Sequence, residues 1–542
     1  MTGKLDLINL HKNIYTHMKK KALSHEGELS DELLQYRKDQ IRFSKRPFKS
    51  SSVAKLLQAV KISKIVYLGD FHTFDQASRN LERLLRALVK MNNKLTLGVE
   101  FVHEQNQNII DDFLDNKISE VEFLESVDYR ESWRFPWNHY KIFFDIARKY
   151  SLKVIALNSD GTLAQRDKMA SRLITNHLKN HSSDILLVLF GEYHIVPDKL
   201  PLQTTIMLGT SIRQTIIHQN LDEVYWKQNK DGNKKGQIIC FSESEFSLQS
   251  SPPWIKYESM NYWYENLLDD PEFDVHESIM ETGSKTLSST TNETFLYFSK
   301  RIRDTLKLEI DEHELEDFNL YDYTKLEYTL NKLKKIGNKP VVNFYQKLVK
   351  RGKNFKIPFS SDYYCSNYSI NRIAYLAGIH VHHIHLKKID PEYEKNISNK
   401  NQTHRFIFFL YRHFMAYFAS KIINPYRKCD LYIDIQQKLS SPKTENRKKA
   451  YLQLSIDILD QNKSLHELFR GHTLKNLSSS AKLVGYLLGE IFYENFFVHD
   501  SSKLDLIDKN IMKAYICEKT FNDLRINLLP DDSYKSEKKR FF

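Results

Sequence analysis

Four short apolar runs in the first half of the chain share one design. Residues 65–68, Ile65, Val66, Tyr67 and Leu68, run without polar alternation and stop at Gly69, Asp70, Phe71 and His72. Residues 95–99 end at Glu100, residues 152–157 end at Asn158, and residues 185–190 end at Gly191, Glu192, Tyr193 and His194. Unalternated runs of β-branched, aliphatic and aromatic residues at this length are the pattern of parallel strands covered on both faces. Ligands gather at the carboxyl ends of such strands. Four strand ends thus carry His, Glu, Asn and His.

Between these runs the spacing turns helical. Residues 75–91 place Leu81, Leu84, Leu85 and Leu88 on one face, and residues 104–114, 137–150 and 163–178 are patterned alike. Alternating β and α runs predict an α/β fold, a mostly parallel sheet with helices on both faces. Beyond His194 the pattern predicts a helix over 211–218 and a hairpin pairing 223–228 with 237–241 across the Gly-containing loop 229–236. Residues 1–49 read as a helical lead-in and linker, with Leu5, Leu7, Ile8, Leu10 and Ile14 at helical spacing, so the α/β domain is expected over 50–255. A linker follows over 256–292, ending in the Ser/Thr-rich, turn-prone residues 281–292. Residues 293–528 then read as an all-α domain, with helical periodicity over 295–306, 323–336, 341–349, 369–385, 405–423, 450–459 and 480–497. Residues 529–542 are expected to be a mobile polar tail.

Composition narrows the function classes. The 542 residues carry 80 Lys and Arg against 68 Asp and Glu, a net charge of +12. No basic block is interleaved with aromatic residues, so no nucleic-acid partner is expected. The four cysteines lie far apart and suggest neither a disulfide framework nor a thiolate metal site. The first residues show no signal-peptide pattern, which makes the expected location cytoplasmic. The most membrane-like segment, 406–423, is interrupted by Arg412, His413 and Lys421, so it is read as a buried helix and no membrane span is expected.

At the strand ends, His72 and His194 with Glu100 make two imidazoles and one carboxylate, a donor set suited to Zn, Mn, Co or Fe(II). Asp70 and Glu192, each two residues before a His, suit holding an imidazole tautomer or acting as general base. The structural alternative is capping, by Asp70 or Thr73 of the helix near Asp75 and by Asn158, Ser159 or Asp160 of the helix near Leu163. Trp133, Phe135, Trp137 and Tyr140 either line the cleft mouth or fill the core. Three further features stand apart. His380, His382, His383 and His385 form the densest His cluster, read first as helix packing. Arg372 and residues 420–428 offer an anion-binding surface, and Gly485 and Gly489 permit close helix packing.

The repeated Gly-acid-x-His, in Gly69 to His72 and Gly191 to His194, with Glu100 closing the second strand, resembles the ChaN-like branch of the Tiki/TraB/erythromycin-esterase superfamily. Trp133, Phe135, Pro136, Trp137 and Tyr140, Ala147 and Arg148 before the third strand, Arg166, Asp167, Met169 and Ala170 after it, and Pro201 continue the likeness over about residues 60–210. The resemblance implies haem or iron binding through His and Tyr side chains, here His72, Tyr140, Tyr193 and His194. Other branches imply a metal-dependent peptidase or esterase. There His72, Glu100 and His194 would hold the ion, Asp70 or Glu192 would take a proton, Arg166 would stabilise negative charge, and Asn158 would lie beside them. The cofactor, haem or a divalent ion, stays undecided, as does the partner, haem or a small-molecule or peptide substrate, with a homodimer compatible with either. Asp70 stands where the family usually has Glu.

Overall fold

The computed structural model describes residues 2–91, 94–181, 183–209, 211–229, 238–265, 289–461, 463–499, 504–513 and 517–537. The chain divides into two compact units, Ile14–Gly283 and Met1–Asn13 with Ser284–Arg540.

The first unit is α/β. Its eight-stranded sheet comprises β1 (Lys49–Ser50), β2 (Ile65–Asp70), β3 (Leu95–His103), β4 (Lys153–Asn158), β5 (Ile185–Gly191), β6 (Gln214–Gln219), β7 (Ile238–Ser242) and β8 (Glu245–Leu248). The strand order is β1-β7-β8-β6-β2-β5-β3-β4. Pairs from β8 through β6, β2, β5 and β3 to β4 are all parallel, and only β7 runs against its two neighbours. Successive side chains of a strand face opposite sides. Val66 and Leu68 accordingly join a core with Leu81, Leu84, Leu85 and Leu88 of the helix Asp75–Lys90. Ile65 and Tyr67 join another with Ala170, Ile174 and Leu178 of the helix Leu163–Asn180. Burial on both faces is why the strand sequences show no alternation.

Several expected elements differ. Residues 211–218 are not helical: β6 occupies Gln214–Gln219, where β-branched Thr215, Ile216 and Ile217 are buried in the sheet. Asp222–Gln228 is a helix rather than a strand, with Asp222 and Glu223 in its first turn, where the helix dipole favours acids. The hairpin is instead β7 with β8. Residues 256–263, expected in the linker, belong to the helix Pro253–Trp263, and 281–288 lie outside the described residues, while Ser289 already begins the helix Ser289–Leu306.

The second unit is mostly helical but not wholly so. β9 (Asn319–Tyr321), β10 (Phe355–Lys356) and β11 (Asp362–Tyr364) form a three-stranded sheet, β10-β11-β9. These strands are two or three residues long, too short to leave a period in the sequence. The helix Gln402–Ile423 packs closely on both Ile370–Ile389 and Leu474–Ile491. Gln402–Ile423 is long and apolar enough to cross a membrane, yet 89% of its most apolar window is buried within the protein. The expected mobile tail is ordered at least to residue 537. Tyr534 is buried there with its ring 5.4 Å from that of Tyr432, an aromatic anchor that outweighs the polar composition around it.

Candidate functional site

The carboxyl ends of β2, β5, β3 and β4, adjacent in the sheet, floor a cleft of about 600 Å³. His72, Glu100, Asn158, Glu192, Tyr193 and His194 all line it. Register explains the convergence, since Asp70 pairs with Gly191 and Val99 with Leu189, which sets Glu100 level with the ends of β2 and β5; β3 does not end at Glu100 as expected but runs on to His103.

Gly191 is the point of closest approach. A Cβ there would lie 3.3 Å from Glu100 Oε2, 3.3 Å from His194 Cδ2 and 3.6 Å from His72 Nε2. Each imidazole is oriented from behind. Asp70 Oδ2 is 2.9 Å from His72 Nδ1 and also accepts from the Tyr140 hydroxyl at 2.9 Å. Asp167 Oδ1 is 2.6 Å from His194 Nδ1, while its Oδ2 accepts from Tyr36 at 2.7 Å. Burial pushes the His72 pKa down, but the Asp70 and Glu100 carboxylates outweigh it, so the pKa is raised. The His72 ring sits edge-on to Trp133 at 4.6 Å and against Phe135 at 4.7 Å; Phe135 in turn stacks on Trp263 at 4.7 Å.

Other expected roles are redistributed. Glu100 does not present an open carboxylate: Oε1 accepts from Arg166 Nη2 at 2.5 Å and Oε2 from the Gly191 N–H at 2.6 Å. Among the described residues no group of three His, Cys, Asp or Glu side chains is arranged to hold a metal ion. His72, Glu100 and His194 converge, but as an Arg-bound carboxylate between two oriented imidazoles. Glu192 does not orient His194. It faces the buried Lys256 at 3.6 Å, and Lys256 also meets Asp222 at 3.2 Å. Asn158 accepts from the N–H of Ser159 at 3.0 Å, a local turn contact. Tyr140, fully buried, lies behind Asp70 and does not reach the cleft, whereas Tyr193 does, with the Arg37 guanidinium 6.0 Å over its ring.

Sequence reasoning missed one wall. Glu26, Leu33 and Arg37 line the cleft from residues read only as a lead-in, and Met260, Trp263 and Tyr264 line it from the supposed linker. Nothing in the helical spacing of these segments marks them as functional. Asp167 was visible beside Arg166, but its role depends on the face of the helix Leu163–Asn180 that turns to β5.

A sheet of parallel strands whose ends carry two carboxylate-oriented histidines defines an α/β protein with a cleft at its strand ends. Within it, residues 56–166 match the family model described as haem-binding uptake, Tiki superfamily, ChaN. The matched segment carries Asp70, His72, Glu100, Asn158 and Arg166, and His194 follows it. Among solved structures, the chain is similar to the one titled "Cofacial heme binding to ChaN of Campylobacter jejuni". The two share 15% identity at a TM-score of 0.26, over 32% of this chain and 90% of that one. No curated protein matches the chain.

Proposed function

We propose that the cleft binds haem, with His72 Nε2 facing the iron. The observation that carries this reading is the His72 imidazole itself. Its Nδ1 is held by Asp70, which leaves Nε2 toward Gly191 and the cleft, and its flanks are the aromatic rings of Trp133 and Phe135. A histidine whose other nitrogen is bound by a carboxylate is fixed in tautomer and made a stronger ligand. Aromatic walls suit a flat macrocycle, and about 600 Å³ falls within the usual range of ligand clefts. Arg37 and Arg166 line the same cleft with their charges already met by Glu26 and Glu100. The match of residues 56–166 to a haem-binding family supports the same ligand. Haem, held by His72, would supply an iron centre.

The alternative, a metal-dependent hydrolase, would hold its ion with His72, His194 and Glu100, whose two oxygens here each accept one hydrogen bond, from Arg166 and from Gly191. Haem titration of the purified chain, followed by absorbance, separates the readings. A saturable Soret shift that His72→Ala abolishes is expected, and Asp70→Asn, which removes only the orienting carboxylate, should weaken affinity by about 10–100-fold. No Soret shift in the unaltered chain, or an unchanged one in His72→Ala, sinks the proposal.

A further inference from the structure

The helical unit gathers cations that no acid balances. Arg372, Arg427 and Lys482 are linked through shared contacts, and Lys353 follows Gly352, whose carbonyl meets the Ser366 hydroxyl that also binds Arg372. Ser366 Oγ accepts from Arg372 Nη1 at 2.8 Å and donates at 2.9 Å to the carbonyl of Gly352, next to Lys353. The carbonyl of Asn371, next to Arg372, accepts from Arg427 Nη1 at 3.2 Å. Arg427 and Lys482 then share one ring, their charged groups lying 5.4 Å and 5.3 Å from the centre of Tyr486. Among the described residues none of the four forms an ion pair. The nearby carboxylates, Glu490 and Glu494, are engaged by the buried Lys421 at 3.1 Å and 2.9 Å. Elsewhere in this unit cations find acids, as Lys332 does with Asp362 and Lys356 and Arg412 do with Glu394.

Like charges held together repel, and the effect is visible at Lys353, whose pKa is lowered by burial and by Lys482 and Arg372. Arg372 also lies in the first turn of Ile370–Ile389, whose N-cap, Ser369, makes no side-chain cap. A ligand that relieves such a cluster carries several negative charges at one centre, because a single carboxylate neutralises only one cation. Arg forks and Lys ammonium groups together are the usual recognition set for phosphate.

We propose that Lys353, Arg372, Arg427 and Lys482 form a binding site for a phosphate-bearing ligand. The phosphate belongs either to a soluble molecule or to a lipid headgroup, and two arms of one experiment tell these apart. In the first, the full chain is titrated calorimetrically with inorganic pyrophosphate at low ionic strength. In the second, it is sedimented with phosphatidylcholine vesicles with and without phosphatidic acid. The tests are repeated on Lys353→Gln/Lys482→Gln and on Lys387→Gln/Lys395→Gln, a control of equal net charge that lies outside the cluster. Circular dichroism and the thermal midpoint establish that both variants fold, and the single Lys482→Gln variant replaces the double one if it does not. The expected result is binding in at least one arm that falls about tenfold or more in the cluster variant, through loss of two charge-assisted contacts, and is unchanged in the control. No binding in either arm, or equal loss in both variants, overturns the proposal.

Discussion

Gly191 shows how tightly the cleft floor is drawn, because the residue with no side chain is the one that three functional groups face. Adding a methyl group at Gly191→Ala would press on Glu100 Oε2 and His194 Cδ2 at 3.3 Å, tighter than ordinary contact, and stand in front of His72 Nε2. The expected outcome is a folded protein, destabilised by about 1–3 kcal/mol for the overpacking, with haem binding lost. Urea denaturation paired with Soret titration checks both halves; full binding in the variant would show that the ligand does not sit above Gly191. His72 and His194 are legible in sequence because strand ends announce themselves through the hydrophobic run before them, and Glu100 is legible as the first charge in β3, which runs on to His103. Their partners were not, since Asp167 reaches His194 and Arg166 reaches Glu100 only through the rotation of a helix against the sheet. The acids two residues before each His looked equivalent, yet Asp70 orients its histidine and Glu192 turns to Lys256.

The helix Leu163–Asn180 carries both Arg166 and Asp167, so its start must be fixed. Thr162 and Gln165 close a capping box, and the Glu32 carboxylate accepts from the N–H groups of Leu163 and Ala164, each at 2.9 Å. Burial pushes the Glu32 carboxyl pKa up, but these backbone donors outweigh it and the pKa is lowered. Glu32→Gln should therefore cost about 1 kcal/mol, read as a lower urea midpoint. In the helical unit the close packing suggested by Gly485 has a backbone cause. A Cβ at Gly485 would sit 2.6 Å from the carbonyl oxygen of Leu410, which has no rotamer with which to yield. Gly485→Ala is expected to lower stability by about 1–3 kcal/mol, and an unchanged thermal midpoint would mean that the helices Gln402–Ile423 and Leu474–Ile491 separate at little cost. Elements of this length were readable from periodicity. Those misread, β6 and the helix Asp222–Gln228, span six and seven residues, where a helical and an extended period cannot be told apart and burial decides.

Across the whole molecule, buried histidines make acid a selective stress. The His380 ring is packed between the Tyr363 hydroxyl at 2.9 Å and the Leu315 carbonyl at 3.0 Å, and His382 meets the Ile511 carbonyl at 3.2 Å. These are packing contacts, not a metal cluster. Burial pushes the pKa of His380 down to about 4, of His382 to about 3 and of His11 to about 4. The unfolded chain takes up these protons near pH 6.5 and the native one does not. Stability is therefore held above pH 6.5 and lost as the pH falls toward 4, by up to roughly 4 kcal/mol per pH unit for three such groups. His72 has the opposite sign: its raised pKa adds stability that is fully present below about pH 6.5 and is lost as the pH rises through the raised value. Hydrogen exchange at pH 7 and pH 5, corrected for intrinsic rates, should show protection falling along Ile370–Ile389 while β2 and β5 hold. Equal loss in both units would mean that carboxylates, not these histidines, govern the acid response.

The place of β2 in the sheet also sets a schedule for synthesis. Its two partners, β5 and β6, begin at Ile185 and Gln214, so after Asp70 at least 185 − 70 = 115 residues must be added before either edge is paired. At about 5–20 residues per second, this wholly buried strand waits roughly 6–23 s with both edges open on the ribosome. Bare parallel strand edges are templates for the wrong neighbour. The strand that delivers Asp70 and His72 is thus the segment for which the nascent chain has most need of a chaperone.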